Sequence, residues 1–491
     1  MSEHQVTLDQ AIKLALDLLK TKNFTETENV CQQILQHSPK QADAYQILGL
    51  TYKSSNQLEK AKTALEQAIQ YNPNKSEYHS NYGVVLQELS LIPEAIIAYQ
   101  KAICLKPDYT IAFHNMGLAL QENHQYETAR AAYRTAIALK PDFAEAYYNV
   151  GCLNHELRLF KEARTAYEKS VELDNEYIPA HRNLSMVTLA LGDFKVGWKE
   201  YEWRLKTEEL RGLEKSAKKP RWQGEFLHNK RILVRCEQGL GDTIQFVRFI
   251  PMIKQFGGIV IFECPKELIC LFKNTQWIDR VVERTRKGVP AVDFDLYIPL
   301  LSLPGLFNVN AENIPYYEGY VSLDQQEVDM WKSQFGSQKK HVGIVWSGSP
   351  KHPKDCDRSC TIERFLKFKQ FPNIQLHSLQ IGDSAQQLDK VKNDIYIKRY
   401  DHRIKDFIHT ASIIANLDLV ITVDTSVAHL AGAMGKPTWL LISYVPDWRW
   451  LLDGNDSMWY KSVRLFRQTK LDDWDSVFNE VFVAFKESEF N

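Results

Sequence analysis

Two hydrophobic patterns divide the 491 residues. Over the first two-fifths, small and aromatic positions recur at helical spacing, and the whole pattern returns every 34 residues. Gly49, Gly83, Gly117 and Gly151 keep that period, as do Ala61, Ala95, Ala129 and Ala163. Ala68, Ala102 and Ala136 form another column, Tyr99, Tyr133, Tyr167 and Tyr201 a fourth, and Pro39, Pro73, Pro107 and Pro141 a fifth. Each period predicts a helix hairpin: Gly and Ala let two helices approach, the aromatic fills the gap beside them, and proline ends the second helix. Full periods run over 42–75, 76–109, 110–143 and 144–177, the last with Asn175 in place of proline. Degenerate copies cover 8–41 and 178–211.

Beyond residue 230 the pattern changes to short continuous apolar runs: 231–236 (RILVRC), 259–263 (IVIFE), 295–298 (DLYI), 341–346 (HVGIVW), 374–381 (IQLHSLQI), 419–423 (LVITV) and 438–442 (TWLLI). Helical stretches separate several of them, so the pattern predicts parallel sheets with crossover helices. The charged stretch KTEELRGLEKSAKKPRWQG before them is expected to be partly helical. About 260 residues are too many for one such sheet, and the polar stretch near 324–340 marks a hinge. Three domains are expected: a repeat array over 1–211 and two doubly wound α/β domains over 212–330 and 331–491. Their cleft should lie at the carboxyl ends of the strands.

The 34-residue period matches the tetratricopeptide pattern, an α-solenoid whose concave face is usually a binding surface for peptide or protein. Asn81, Asn115, Asn149 and Asn183 recur two positions before the glycine column, about 200° around the helix from it. If the glycines face the partner helix, these amides face the groove. Glu88, Glu122 and Glu156 lie seven residues beyond the first three, on the same face. A solvated polar face is the simpler explanation. Asparagine is nevertheless a poor helix former, and an amide offers the donor and acceptor needed to grip a peptide backbone. The column resembles the asparagine ladder of the O-GlcNAc transferases.

A formal net charge of −1 gives no basic footprint for nucleic acid. The N-terminal MSEHQVTLDQAIKLALDLL lacks a basic leader followed by an apolar core, no apolar run has the length of a membrane span, and the eight cysteines form no CxxC pair. A cytoplasmic protein with free thiols is expected.

Candidate chemistry gathers where apolar runs end. In ITVDTSVAHLAGAMGKP, at 421–437, a buried strand stops at Asp424-Thr425-Ser426 and a helix carrying His429 begins. A helix start offers unpaired N–H groups and partial positive charge, which suits an anion; Asp424 or Thr425 acting as a plain cap is the alternative. WSGSPKH places Trp346, Ser347 and Gly348 in a glycine-hydroxyl loop directly after a strand, another place for phosphate. GLGD at 239–242 fails the dinucleotide pattern, since Gln245 stands where a third glycine is needed. VDFD at 292–295 has the acid-x-acid form of metal-dependent glycosyltransferases but opens an apolar run, so no metal site is expected.

Three segments, strand–GLGDTI–helix, strand–WSG and strand–DTSVAHLAGAMGKP, resemble in order and spacing those of the heptosyltransferase-like glycosyltransferases, and DWRW and WYKSVRLFRQ resemble members fused to tetratricopeptide arrays. That resemblance implies a GT-B fold of two Rossmann-like domains and an overall plan similar to the O-GlcNAc transferases. It implies a metal-independent, inverting transfer of sugar from a nucleotide-sugar donor, with no cofactor. Asp242 matches the family's general base. Arg358 lies near its diphosphate-binding lysine, and Thr425, Ser426 and His429 match the segment that holds the diphosphate. Ser426 replaces the glycine usual in heptosyltransferases, so the sugar need not be a heptose. The acceptor is expected to be a protein or peptide presented by the repeats. The alternatives are a glycan or lipid-linked sugar with the repeats docking partners, or a non-catalytic repeat scaffold.

Overall fold

The computed structural model describes residues 7–490 apart from 286–287, 317–319, 322, 353 and 394–396. Residues 1–6, the start of the stretch read above for a leader, lie outside the described residues. The chain forms two compact units, 1–180 and 181–491.

In the first unit the 34-residue period is a series of helix hairpins. They are α1 (Leu8–Lys20) with α2 (Phe24–His37), α3 (Ala42–Ser54) with α4 (Leu58–Tyr71), and α5 (Ser76–Glu88) with α6 (Ile92–Leu105). Then come α7 (Thr110–Glu122) with α8 (Tyr126–Leu139), and α9 (Ala144–Glu156) with α10 (Phe160–Leu173). The glycine column does what its spacing implies. A Cβ on Gly83 would come within 2.6 Å of the Tyr99 ring, and one on Gly117 or Gly151 within 2.5 Å of Tyr133 or Tyr167. Those tyrosines are fully buried. Gly117→Val is therefore expected to destabilise this unit by about 3 kcal/mol, the upper end of the overpacking range. Denaturant unfolding checks this, and an unchanged midpoint would contradict it. Before each proline the chain turns extended, as at Lys106 (φ −139°, ψ 91°). Asp174 takes the same conformation (φ −138°, ψ 97°) although Asn175 follows it, so packing as well as proline fixes this end.

The glutamate column staples neighbouring repeats. Gln87 donates to Glu122 at 3.0 Å and Gln121 to Glu156 at 2.8 Å, while Tyr99 and Tyr133 donate back to those glutamines at 3.2 and 3.1 Å. Glu88 pairs with Lys53 at 3.1 Å. These carboxylates are thus engaged between repeats.

The units divide at Ala180/His181, inside α11 (Ile178–Ala190), although the repeat pattern runs on to 211. The last repeat's second helix, α12 (Phe194–Tyr201), packs within the second unit: Trp198 donates its indole N–H to the Val309 carbonyl at 2.8 Å and meets Trp448 edge-on at 5.3 Å.

That unit holds two all-parallel sheets. The first contains β1 (Arg231–Arg235), β2 (Ile259–Cys264), β3 (Arg280–Glu283) and β4 (Leu296–Pro299) in the order β3-β2-β1-β4. The second contains β5 (Lys340–Val345), β6 (Ile374–Ser378), β7 (Ile397–Arg399), β8 (Leu419–Val423), β9 (Thr438–Ile442) and β10 (Val463–Arg467) in the order β10-β9-β8-β5-β6-β7. Every apolar run named above contributes a strand. β3, β7 and β10 had no such run in the sequence reading. The C-terminal helix Trp474–Glu487 covers the second sheet, where Phe478 and Phe485 pack with Phe365 and Trp439. The connection before β1 carries the expected helix, Arg211–Ala217.

Candidate functional site

The loops after β1 and β8 come together within the second unit. After β1 the chain turns at Gly239 and starts the helix Leu240–Phe246; after β8 it starts the helix Ser426–Ala433. The two helices meet so closely that a Cβ on Gly241 would lie 2.8 Å from His429 Cδ2 and 3.5 Å from Ser426 Cα. Gly241 is thus needed for approach. Both loops leave the carboxyl ends of parallel strands, where clefts of such sheets form.

Asp242 fills two roles here. Its Oδ2 accepts from the Gly239 N–H at 2.9 Å, the backbone cap that its place in the turn foretells. Its Oδ1 accepts from Arg449 Nη2. Arg449 also donates to Asp447 at 2.9 Å and to Gln245 at 2.6 Å, and its guanidinium lies 4.3 Å from the Trp448 ring. Burial alone would lower its pKa, but Asp447 and Asp242 hold it above the ordinary arginine value. Asp424 sits in the same region. Burial and the nearby Asp447 charge push its carboxyl up to about 6.

Thr425 is the N-cap residue of the helix Ser426–Ala433, yet its hydroxyl does not cap. It contacts the Thr422 hydroxyl at 3.2 Å. The N–H groups of Ser426 and Val427 have no acceptor among the described residues. His429 is buried, bonded through Nδ1 to the Tyr460 hydroxyl at 2.9 Å and stacked at 5.4 Å on Trp450. Burial, then Arg449, Arg248 and Arg358, push its pKa well below the usual value, so the ring is neutral.

The loop after β5 is arranged differently from the phosphate cradle expected of it. Gln380 Oε1 accepts from the Trp346 and Ser347 N–H groups at 3.2 and 3.0 Å, and Ser359 Oγ from the Gly348 N–H at 3.0 Å. The Ser347 hydroxyl accepts from Ser384 at 3.0 Å. Trp346 is fully buried in the core of the second sheet, so its side chain packs rather than faces a ligand. Gly348 lies against Arg358, whose Nη2 a Cβ would meet at 2.6 Å. Arg358 is partly exposed and bonds Asp355 at 3.1 Å. His352 also lies nearby: burial and then Arg358 lower its pKa.

VDFD lies at the opposite, amino end of the first sheet, where Asp295 accepts from Arg231 Nη2 at 3.1 Å. Asp293 is 3.7 Å from the same guanidinium. Among the described residues no three His, Cys, Asp or Glu side chains are grouped to hold a metal ion.

The four asparagines do not share one environment. Asn81 and Asn115 are half-buried, and Asn115 contacts the His114 ring at 3.3 Å. Asn149 is buried, with its amide 2.7 Å from His114 Nε2. Asn183 belongs to the second unit. If the groove binds a peptide, Asn81→Ala should keep the fold and weaken that peptide by about 2–13-fold, one hydrogen bond at about 0.5–1.5 kcal/mol. Asn149→Ala should instead cost about 1–3 kcal/mol of stability by stranding His114. Peptide-binding isotherms beside melting curves separate the two, and equal binding by Asn81→Ala would make Asn81 a solvated position.

Sequence reasoning assigned no role to Arg449 or Asp447. Their signal was the DWRW segment, an arginine and an acid set among tryptophans.

Models of the tetratricopeptide repeat match residues 18–81 and 114–178. Protein FlbA of Caulobacter vibrioides is 25% identical over 322 residues, 61% of this chain and 53% of that protein, so the chain spans about half the length of this curated relative. A crystal structure of PilW, described as a widely conserved type IV pilus biogenesis factor, is 21% identical with a TM-score of 0.39, covering 43% of this chain and 100% of that one. YrrB, described as a TPR protein with an unusual peptide-binding site, is 20% identical with a TM-score of 0.31, covering 36% of this chain and 91% of that one. No helix among the described residues is long and apolar enough to cross a membrane. The N-terminal unit of this chain carries tetratricopeptide repeats.

Proposed function

We propose that the second unit is a GT-B glycosyltransferase that moves a sugar from a nucleotide-sugar donor to a protein docked by the repeats. The observation that carries this reading is the approach of Gly241 to Ser426 and His429, which sets Asp242 beside an open helix N-terminus. The leaving diphosphate gains negative charge as the glycosidic bond breaks. Preorganised N–H donors and Arg358 would stabilise that charge, the helix through its unpaired N–H groups and the guanidinium through a bidentate fork. Asp242 would take the proton of the acceptor hydroxyl. Neutral His429 would orient rather than neutralise, since its Nδ1 is held by Tyr460.

A panel of UDP-, GDP-, ADP- and dTDP-sugars tests the donor site, because a ligand that binds only the folded state raises the melting temperature. At least one should do so. Arg358→Ala should then weaken the matching nucleoside diphosphate about 10–150-fold by calorimetry, as loss of a charge-assisted bond implies. Unchanged affinity would remove Arg358 from the diphosphate site. One observation favours the scaffold reading: the N–H groups of Trp346, Ser347 and Gly348 are all satisfied internally. A panel in which no donor shifts melting selects that reading.

A further inference from the structure

A cavity of about 570 Å³ opens in the second unit, with none of the cleft residues described above in its lining. It is walled by α12, by the connection around Arg221 and Trp222, and by the segment after β4 that runs through Leu306 and Asn308. Gly305 brings that last segment against the helix: a Cβ there would lie 3.3 Å from Trp198 Cβ.

The floor is apolar. Trp198 and Trp222 both spend their indole N–H groups on backbone carbonyls, those of Val309 and Glu225, each at 2.8 Å. Both rings are buried, Trp222 fully, and so is Ile298, so the apolar side chain that the lining leaves open to a ligand is Leu306.

The rim is cationic. Lys195 and Lys199 stand one helical turn apart on α12, both exposed and neither with an acidic partner among the described residues. Arg221 adds a third cation. The single carboxylate of the lining, Glu202, is already engaged by Arg204 at 2.9 Å and Arg221 at 2.5 Å. Burial would raise its pKa, but the two arginines hold it below the ordinary range, so it stays a partner to them. The two lysines are left over.

An apolar floor with unpaired cations and amide groups at the mouth, in a volume typical of ligand sites, selects a ligand that is greasy at one end and charged at the other. We propose that this cavity binds a small organic anion, an apolar ring or chain ending in a phosphate or carboxylate. The apolar end packs against Leu306, and the head meets Lys195 and Lys199. The site is independent of the glycosyltransferase reading.

Calorimetry on the full chain tests it with three probes: phenyl phosphate, benzoate and neutral benzyl alcohol. At least one of the two anions should bind, and benzyl alcohol should be weaker by about tenfold or more. The comparison of the two anions tells a phosphate site from a carboxylate site. Lys195→Gln with Lys199→Gln should weaken the bound anion by about tenfold or more, and Lys195→Arg with Lys199→Arg should restore it. Both lysines are exposed, so the fold is kept. No binding by either anion, wild-type affinity in the glutamine variant, or loss of binding in Arg358→Ala would each overturn the proposal, the last by placing the anion in the cleft.

Discussion

If the second unit is the glycosyltransferase proposed above, Asp242→Asn is expected to lower sugar transfer by about 10²–10⁴-fold, the usual contribution of a general base. An amide cannot take the acceptor's proton, yet it occupies the same volume. It also has a structural consequence. The carboxylate accepts at both oxygens, from Gly239 and from Arg449. Asparagine has one acceptor oxygen, so one of those donors must face an NH₂ group, at about 1–3 kcal/mol. Steady-state transfer measured beside unfolding separates the effects: the rate should fall far more than the folded fraction at the assay temperature. Transfer at the wild-type rate would put the base elsewhere. Glu237 is then a poor substitute, because its side chain is fully buried beside the buried Arg204, whereas Asp242 is partly exposed. Asp447 and Asp424 would be the candidates.

Arg449→Ala is expected to destabilise the second unit by about 3 kcal/mol. Removing one partner of a buried charge pair typically costs about 3–5 kcal/mol, because the other charge stays behind. The lower end applies because Asp242 and Asp447 retain 22% and 28% side-chain exposure. Gln245 loses its partner as well, and Trp448 its stacked guanidinium. Arg449→Lys should recover only part, since an ammonium lacks the fork that reaches three acceptors. Denaturant titration is the check, and a change under about 0.5 kcal/mol would mean that the cluster adds nothing to folding.

The repeat architecture was legible because each hairpin is local. Gly83 and Tyr99 lie 16 residues apart, and one column of the pattern implies the other. The strands were legible where both faces are covered, which makes the run continuously apolar, as in LVITV. β3 (RVVE) has exposed ends and β7 (IKR) is three residues long, so neither makes such a run.

The ladder was only half legible. Its column holds Asn149 in register, but the position one before Asn115 is His114, where the preceding repeat has Ser80. That imidazole reaches 35 residues forward to Asn149 and draws it into the interior. Period alone does not reveal a neighbour's size. The Arg449–Asp242 pair spans 207 residues and depends on where two loops end, which no local pattern encodes. Its two halves were visible only as GLGD and DWRW. The loop at Trp346 misled for the opposite reason: glycine and hydroxyls after a strand look like a cradle until Gln380, 34 residues away, fills it.

The most direct measurement is transfer of a labelled sugar to protein by the purified full chain, using each nucleotide sugar that raises its melting temperature. The predicted result is label on protein with the wild type and its near-complete loss in Asp242→Asn at saturating donor. A donor that binds and stabilises the chain while no label reaches protein would contradict a protein glycosyltransferase.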